Sequence, residues 1–225
     1  WQRLISVLTH EIMNSVTPIS SLAETAASLL HKDSINPALS AEHYADVKEA
    51  VDTIAKRSKG LLGFVESYRS LSRIPTPQMK LIRIDDLFMR VGRLMEAQLK
   101  RRQIGFRQSI TAPDETELLA DPNQIEQVLI NIIKNAVEAL EQTDFPRIDL
   151  AATISNRGRI VIRVSDNGPG IKEDVLEKIF IPFFTTKKTG TGIGLNLSRQ
   201  IMWMHGGVLT AHSHPGKRTT FTLRF

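Results

Sequence analysis

Two long stretches with a seven-residue apolar repeat restrict the fold more than any other feature of the sequence. In each stretch, two rows of apolar and small residues recur every seven positions, a pattern typical of α-helices that pack along a coiled-coil seam. In residues 1–31 the rows are Ile5, Ile12, Ile19 and Ala26, and Leu8, Ser15, Leu22 and Leu29. In residues 42–73 they are Val47, Ile54, Leu61 and Tyr68, and Val51, Ser58, Val65 and Ser72.

The segments between and after these stretches predict a helical hairpin. Residues 32–37 indicate a turn between the two helices. Pro75 and Pro77 end the second helix, because proline lacks the amide hydrogen that a helix needs. A single hairpin has little to bury its seam against, whereas two hairpins can pair into a four-helix bundle. We therefore expect residues 1–77 to form a homodimeric domain and residues 78–225 to form a second domain.

The second part of the chain predicts a mixed α and β domain. Helices are expected over residues 84–101, 121–141 and 195–204, and Asp121 is expected to cap the second of them, with a proline in its first turn. Strands are expected over residues 104–110, 148–154, 160–165, 208–211 and 219–225, mostly linked as hairpins. This order predicts an α/β sandwich with one helical layer, so the whole chain is expected to be of the α+β class.

The composition excludes several kinds of site. The 225 residues include no cysteine, which excludes disulfides, thiolate catalysis and cysteine-bound metals. No apolar run approaches the roughly 18 residues of a membrane helix. Because the chain begins with Trp, we expect a cytoplasmic fragment of a longer protein, attached to a membrane only through a part outside this chain. The net charge of +5 comes from scattered Lys and Arg, so nucleic acid is not an expected partner.

His10 is the first candidate for chemistry. By the heptad count it lies opposite the apolar seam, and a neutral imidazole nitrogen is a good nucleophile near neutral pH. Glu11 could accept a proton from the ring. Asn14 lies one helical turn further along the same face and could orient a water molecule. Taken alone, this pattern also fits a surface histidine without a role.

Asn131 and Asn135 form the second candidate site, since they share one face of a predicted helix. Asparagine is unfavourable inside helices, so two on one face need a reason. Their amide oxygens are suitable ligands for Mg²⁺, which commonly bridges phosphates, and Lys134 beside them could meet a phosphate. The alternative is a pair of polar contacts between the helix and the core.

Two glycine-containing segments complete the candidate site. Asp166 follows a predicted strand and could accept a hydrogen bond from an exocyclic amine such as that of adenine, while Gly168 and Gly170 allow close approach. Residues 190–194 carry three alternate glycines before a predicted helix, whose first amides could bind phosphate. Residues 180–188 between the two segments are expected to form a mobile lid. The alternatives are an ordinary turn and a plain surface loop.

Together these motifs resemble the catalytic core of bacterial sensor histidine kinases of two-component systems, and most closely the nitrogen-regulation type. The resemblance covers nearly the whole chain. His10, Glu11, Asn14 and Pro18 match the H-box; residues 131–139 match the N-box; residues 166–170 and 190–194 match the two glycine boxes; and Phe180, Phe183 and Phe184 match the F-box.

The resemblance implies a dimeric four-helix bundle followed by a Bergerat-type ATP-binding domain. It implies that Mg-ATP phosphorylates His10, with Glu11 as general base, and that the phosphoryl group passes to an Asp of a response regulator receiver domain. It further implies that Asn14 supports dephosphorylation of the regulator and that Asn131 and Asn135 hold Mg²⁺. The implied nucleotide contacts are Asn131, Lys134, Asn135, Asp166, Gly168, Gly170, Phe183, Thr186, Lys187, Gly190, Thr191, Gly192, Gly194, Leu195 and Thr219. Arg218 departs from the family pattern, in which glycine usually precedes the threonine.

Two other classes share part of this pattern. Related ATPases, such as topoisomerases, mismatch-repair proteins and dehydrogenase kinases, have similar ATP motifs but do not predict a seamed hairpin with an outward His-Glu pair. A signalling scaffold with a degenerate ATP site is the other alternative, although His10, Asn135, Asp166 and the second glycine box are all present.

Overall fold

The computed structural model describes residues 2–35, 40–72, 74–111, 116–187 and 190–225; within its helices, the side chains of residues 2–11, 15, 31–35, 40–43 and 63–72 lie outside the description. The chain divides into two compact units, Trp1–Arg73 and Ile74–Phe225. In the part of the chain described, none of the helices combines the length and apolar character needed to cross a membrane.

The first unit is a pair of helices that pack against each other, α1 (Gln2–Ile35) and α2 (Ser40–Ser72). The small side chains of Ala26 and Ala50 are its buried residues among those described. Helix α1 continues to Ile35, so residues 32–35 are helical and do not form part of the turn predicted over residues 32–37; residues 36–39 lie outside the described part. The hairpin is therefore present, while its pairing with a second copy remains a prediction.

The second unit is built on a five-stranded mixed sheet in the order β2-β4-β5-β7-β6. Strands β2 and β4 are parallel and the other neighbours are antiparallel. A separate two-stranded sheet pairs β1 with β3. The elements are β1 (Lys80–Arg83), α3 (Ile84–Arg101), β2 (Gly105–Thr111), β3 (Glu117–Ala120), α4 (Pro122–Ala139), β4 (Arg147–Ile154), β5 (Ile160–Asp166), α5 (Glu173–Leu176), α6 (Gly194–Met204), β6 (Val208–His214) and β7 (Arg218–Arg224).

The core of this unit lies between the sheet and the helices α3, α4 and α6. Along β4, Ile148, Leu150 and Ala152 are buried and alternate with more exposed residues, as expected for a strand with one covered face. Ile132 and Ile133 of α4 are fully buried in the same core. Burial of each such large aliphatic side chain contributes about 1.5–3 kcal/mol. The predicted α/β sandwich with one helical layer is confirmed.

Two features of the topology differ from the prediction. The short strands β1 and β3 were not expected, because four residues carry too little periodicity to be recognised. The parallel pairing of β2 with β4 and the pairing of β5 with β7 join strands that are not consecutive in the sequence. Hairpin linkage therefore holds only for β4 with β5 and for β6 with β7.

The first residues of the second unit are tied to the beginning of helix α4. The amide of Gln78 donates to Asp121 Oδ2 at 2.8 Å, and Gln124 Nε2 donates to the carbonyl oxygen of Pro75, also at 2.8 Å. Residues 74–77, which the prolines placed at the end of the predicted first domain, are thus held by the start of α4.

Candidate functional site

Helix α4 positions the two asparagines. Asp121 caps it, because Asp121 Oδ1 accepts hydrogen bonds from the amides of Asn123 and Gln124, and a proline occupies the first turn as predicted. Asn131 and Asn135 lie one turn apart and are half-buried, whereas Lys134 is exposed. The asparagines therefore stand at the border between the buried helix face and solvent.

Asn131 links α4 to the beginning of α6. Its Nδ2 donates to Ser198 Oγ at 3.0 Å, and Ser198 is buried. A β-carbon on Gly194 would lie 2.2 Å from Asn131 Oδ1, so only glycine fits at this position. The second glycine box and the N-box thus pack together directly.

Asp166 ends strand β5 and is a buried carboxylate, only 6% exposed. Burial raises its pKa to about 6, although hydrogen bonds from the backbone amides of Gly168 and Thr219 favour the ionised form. Thr219, also buried, pairs with Asp166 across β5 and β7. A carboxylate held in this way is ionised at neutral pH and can accept a hydrogen bond from a ligand.

The first glycine box is enclosed by its neighbours. A β-carbon on Gly170, whose φ is +72°, would lie 2.4 Å from the carbonyl oxygen of His214 at the end of β6. A β-carbon on Gly168 would lie 3.6 Å from the carbonyl oxygen of Ala139 at the end of α4. Close backbone approach therefore requires glycine at residue 170 and brings the loop after β5 against α4.

The predicted lid is pinned at its base. The amide of Phe183, which has φ of +65°, donates to the carbonyl oxygen of Gly192 at 3.0 Å. Upstream of this bond, Asn196 Nδ2 donates to the carbonyl oxygen of Phe180 at 2.8 Å, and the Arg199 guanidinium stacks over the Phe180 ring. Helix α6 thereby holds the chain at the point where the lid begins.

Lys187, on the lid, reaches the helix that carries the asparagines. Its Nζ lies 2.6 Å from Asn135 Oδ1 and 2.5 Å from Glu138 Oε2. Thr186 and Thr191 are exposed, and Gly190 is half-buried. Among the predicted lid contacts, Lys187 thus makes two side-chain contacts with α4.

The beginning of α6 presents backbone amides next to this lid. Among the residues described, no side chain caps its first turn. Gly194 and Leu195 are half-buried there. Uncapped amides at a helix N-terminus carry a partial positive charge and bind phosphate groups well.

His10, Glu11 and Asn14 lie in the other unit, on helix α1. The side chains of His10 and Glu11 fall outside the described part, and Asn14 is exposed. Their assignment as phosphate acceptor, general base and phosphatase residue therefore stays a prediction.

Several residues around the site were missed by sequence reasoning. Glu138 lies one turn after Asn135 on α4, and helical spacing alone could have indicated it. Asn196 and Ser198 on α6 gave no signal, because a buried polar side chain is recognised only through its partners. His214 contributes only its backbone, which carries no residue-specific signal.

Comparison with known proteins agrees with this geometry. Residues 120–225 match the family described as histidine kinase-, DNA gyrase B- and HSP90-like ATPase. The sensor histidine kinase ZraS of Salmonella typhimurium is 31% identical over 221 residues, which are 98% of this chain and 44% of ZraS. The chain thus spans less than half the length of this relative.

Solved structures agree as well. The catalytic domain of histidine kinase ThkA is 29% identical, with a TM-score of 0.58 over 66% of this chain and 95% of that one. The structure of ThkA in complex with response regulator protein TrrA matches 98% of this chain and 66% of that one at a TM-score of 0.61, with 24% identity. Residues 120–225 therefore belong to the family of histidine kinase-, DNA gyrase B- and HSP90-like ATPases, and the chain as a whole is similar to the catalytic core of sensor histidine kinases.

Proposed function

We propose that this chain is the catalytic core of a protein histidine kinase, which transfers the γ-phosphoryl group of ATP to His10 and then to an Asp of a response regulator. The buried carboxylate of Asp166 is the observation that carries this proposal. An ionised carboxylate has about four acceptor positions, so the buried Asp166, which accepts hydrogen bonds from the amides of Gly168 and Thr219, can accept a further one from the exocyclic amine of adenine.

The remaining groups of the second unit have complementary roles. Gly168 and Gly170 let the loop that is proposed to contact the adenine pack against α4 and the end of β6, and Thr219 supports Asp166. The amides at Gly194 and Leu195 bind phosphate oxygens, together with Lys134, Lys187 and the lid residues Phe183, Thr186, Gly190, Thr191 and Gly192. These roles are supported by the contacts that α4 makes with the first turn of α6, with the loop after β5 and with the lid.

Mg²⁺ fits the residues on α4. Asn135 Oδ1 already accepts a hydrogen bond from a cationic group, the Lys187 ammonium, so that the position favours positive charge. Asn135 would hold the ion, and Asn131 is the second proposed ligand, with its amide nitrogen engaged by Ser198. When bound, Mg²⁺ neutralises charge on the phosphates.

The phosphoryl step needs little covalent chemistry from the protein. A ring nitrogen of His10 forms a bond to the γ-phosphorus while the bond from that phosphorus to its bridging oxygen breaks, and ADP leaves with the electron pair. The proton on the other ring nitrogen passes to the carboxylate of Glu11. In the second step, a carboxylate oxygen of the regulator bonds to the phosphorus as the bond to His10 breaks.

A receiver domain is the proposed partner for this second step, and the complex of ThkA with TrrA supports it by analogy of fold. Asn14, one turn from His10, is proposed to position water for dephosphorylation of the regulator. Both steps would take place in the cytoplasm, and any membrane attachment would lie in a part of the protein outside this chain.

We further propose that residues 1–77 form a homodimer with a second copy of the chain. Residues 78–225 then form the ATP-binding domain. Among the described residues of the hairpin, Met13, Val16, Val51 and Leu62 are exposed hydrophobic side chains. A second hairpin would cover this apolar surface and complete a four-helix bundle.

Incubation with [γ-³²P]ATP and Mg²⁺ tests the proposed reaction. The label should be acid-labile and base-stable, as expected for phosphohistidine, and should be absent from His10→Gln, which should still bind ADP. Label retained by His10→Gln would place the acceptor elsewhere. Transfer of label from the wild-type protein to a purified receiver domain, and not to one whose acceptor Asp is replaced by Asn, tests the second step.

A further inference from the structure

Lys187, Asn135 and Glu138 bring one positive charge to two oxygen atoms of α4. The Lys187 ammonium lies 2.6 Å from Asn135 Oδ1 and 2.5 Å from Glu138 Oε2. We infer that these two oxygens form a cation site for which the Lys187 ammonium and Mg²⁺ compete, so that Mg²⁺ displaces the ammonium when it binds. The inference rests on the proposed function, which supplies the Mg²⁺, and it adds Glu138 to the site.

The chemistry of the two oxygens suits this exchange. Residues three apart on a helix share a face, so the amide and the carboxylate converge on the same point. Amide and carboxylate oxygens are hard ligands, and Mg²⁺ is commonly bound through one or two carboxylates with water completing its shell. An ammonium group is a compact monovalent cation. The same two oxygens would attract a divalent ion more strongly.

The ion pair between Lys187 and Glu138 is exposed and therefore weak enough to be replaced by another cation. The side chains of Lys187 and Glu138 are 39% and 54% exposed, so solvent screens their attraction. Two cations cannot share the site, because each repels the other at contact distance. Binding of Mg²⁺ therefore releases Lys187, and the released ammonium can reach a nucleotide phosphate.

Manganese binding without nucleotide tests the competition directly. We expect Lys187→Gln to bind Mn²⁺ roughly fivefold more tightly than the wild type in electron paramagnetic resonance titrations, the factor expected for removing an exposed ion pair. Adding Glu138→Gln to Lys187→Gln should remove this gain. Equal or weaker Mn²⁺ binding by Lys187→Gln would overturn the inference, as would a gain that survives the second substitution.

Lysine acetylation provides a readout on the wild-type protein. Lys187 should react slowly with acetic anhydride in the absence of metal and several-fold faster with saturating Mg²⁺, as measured by mass spectrometry at constant ionic strength. In Glu138→Gln it should react fast under both conditions. A rate for Lys187 that does not depend on Mg²⁺ would contradict the exchange.

Lys100 offers a matched control, because its Nζ lies 2.5 Å from Glu96 Oε1 on α3. Its acetylation should not respond to Mg²⁺, and Lys100→Gln should leave Mn²⁺ affinity unchanged. Neither readout involves phosphoryl transfer. If the wild-type protein were not labelled at His10, the proposed reaction would be refuted, but the cation exchange would not. Conversely, normal labelling with Mg²⁺-independent acetylation of Lys187 would refute the exchange alone.

Discussion

The side-chain oxygen of Asn131 lies against the α-carbon of Gly194, so close that a β-carbon at residue 194 would come within 2.2 Å of it. Gly194→Ala must therefore displace either the asparagine or the first turn of α6, both of which line the candidate site. Small displacements of binding groups have large effects on positioning. We expect the affinity for ADP, measured by isothermal titration calorimetry, to fall roughly tenfold or more.

Gly105→Ala is the control for this substitution. A β-carbon there would find its nearest atom, the carbonyl oxygen of Pro146, at 3.6 Å, an ordinary contact. This variant should bind ADP as the wild type does. If Gly194→Ala also binds normally, the contact between the N-box and the second glycine box does not set the geometry of the site.

The titration of Asp166 predicts how nucleotide binding depends on pH. Burial raises its pKa to about 6 from the ordinary value of 3.8, so the folded protein takes up a proton as the pH falls through 6. The protonated group no longer offers an anionic acceptor, and we expect ADP affinity to drop below that pH and to level off above it. Titration calorimetry between pH 5 and pH 8 checks this, with Asp166→Asn expected to bind weakly and without the inflection.

The same shift has the opposite sign for stability. Because the folded pKa lies above the unfolded one, the folded state holds the proton more tightly, and the contribution of Asp166 to the free energy of unfolding declines as the pH rises from about 3.8 to about 6. Asp166→Asn should therefore be at least as stable as the wild type at pH 7 in urea unfolding. A less stable Asp166→Asn would show that the carboxylate has a structural role.

Val51 tests the proposed dimer. It occupies a seam position of α2 yet is 52% exposed within a single hairpin, so a charge there should disturb the pairing of two hairpins more than the hairpin itself. We expect Val51→Glu to weaken the dimer at least tenfold in analytical ultracentrifugation, because burying an unpaired carboxylate is costly. Ala55→Glu, exposed and off the seam, should leave the dimer intact, and equal behaviour of the two variants would argue against this seam.

Asn14 separates the two proposed activities of the hairpin. Asn14→Ala should retain autophosphorylation within about twofold, because the proposed proton acceptor and nucleophile are unchanged, and should slow dephosphorylation of a phosphorylated receiver roughly a hundredfold. Decay of labelled receiver protein, followed with and without the kinase, measures this rate. Normal decay in the presence of Asn14→Ala would remove Asn14 from the reaction.

Much of the second unit could be predicted from periodicity and caps. The helix over residues 122–139 followed from its apolar face and from Asp121, and strands β4 and β5 from alternation around Gly158. These signals are local, because the burial of one face of a helix or strand produces a periodic pattern of apolar residues within the sequence of that element. The pairing of β2 with β4 could not be foreseen, since the sequence does not encode strand order in any local pattern.

The residues of the candidate site also divide into those that could be predicted from the sequence and those that could not. Asp166, Asn131 and the glycines were recognisable because their residue types are unfavourable where they stand unless they have a function. The contact between Lys187 and Glu138 was not, because Lys and Glu are ordinary surface residues and 49 positions separate them. Asn196, buried at 5% exposure, was missed because its partner is a backbone carbonyl, which any residue at position 180 would supply.

The hydrogen bond from the amide of Phe183 to the carbonyl oxygen of Gly192 joins the chain on the two sides of Lys187. Lys187 lies four residues after Phe183, so the α-carbons of the two residues are at most about 14 Å apart. Under the proposed exchange, the Lys187 ammonium would therefore stay near the phosphate groups of a bound nucleotide after leaving Glu138, and it would find them without diffusing through bulk solvent.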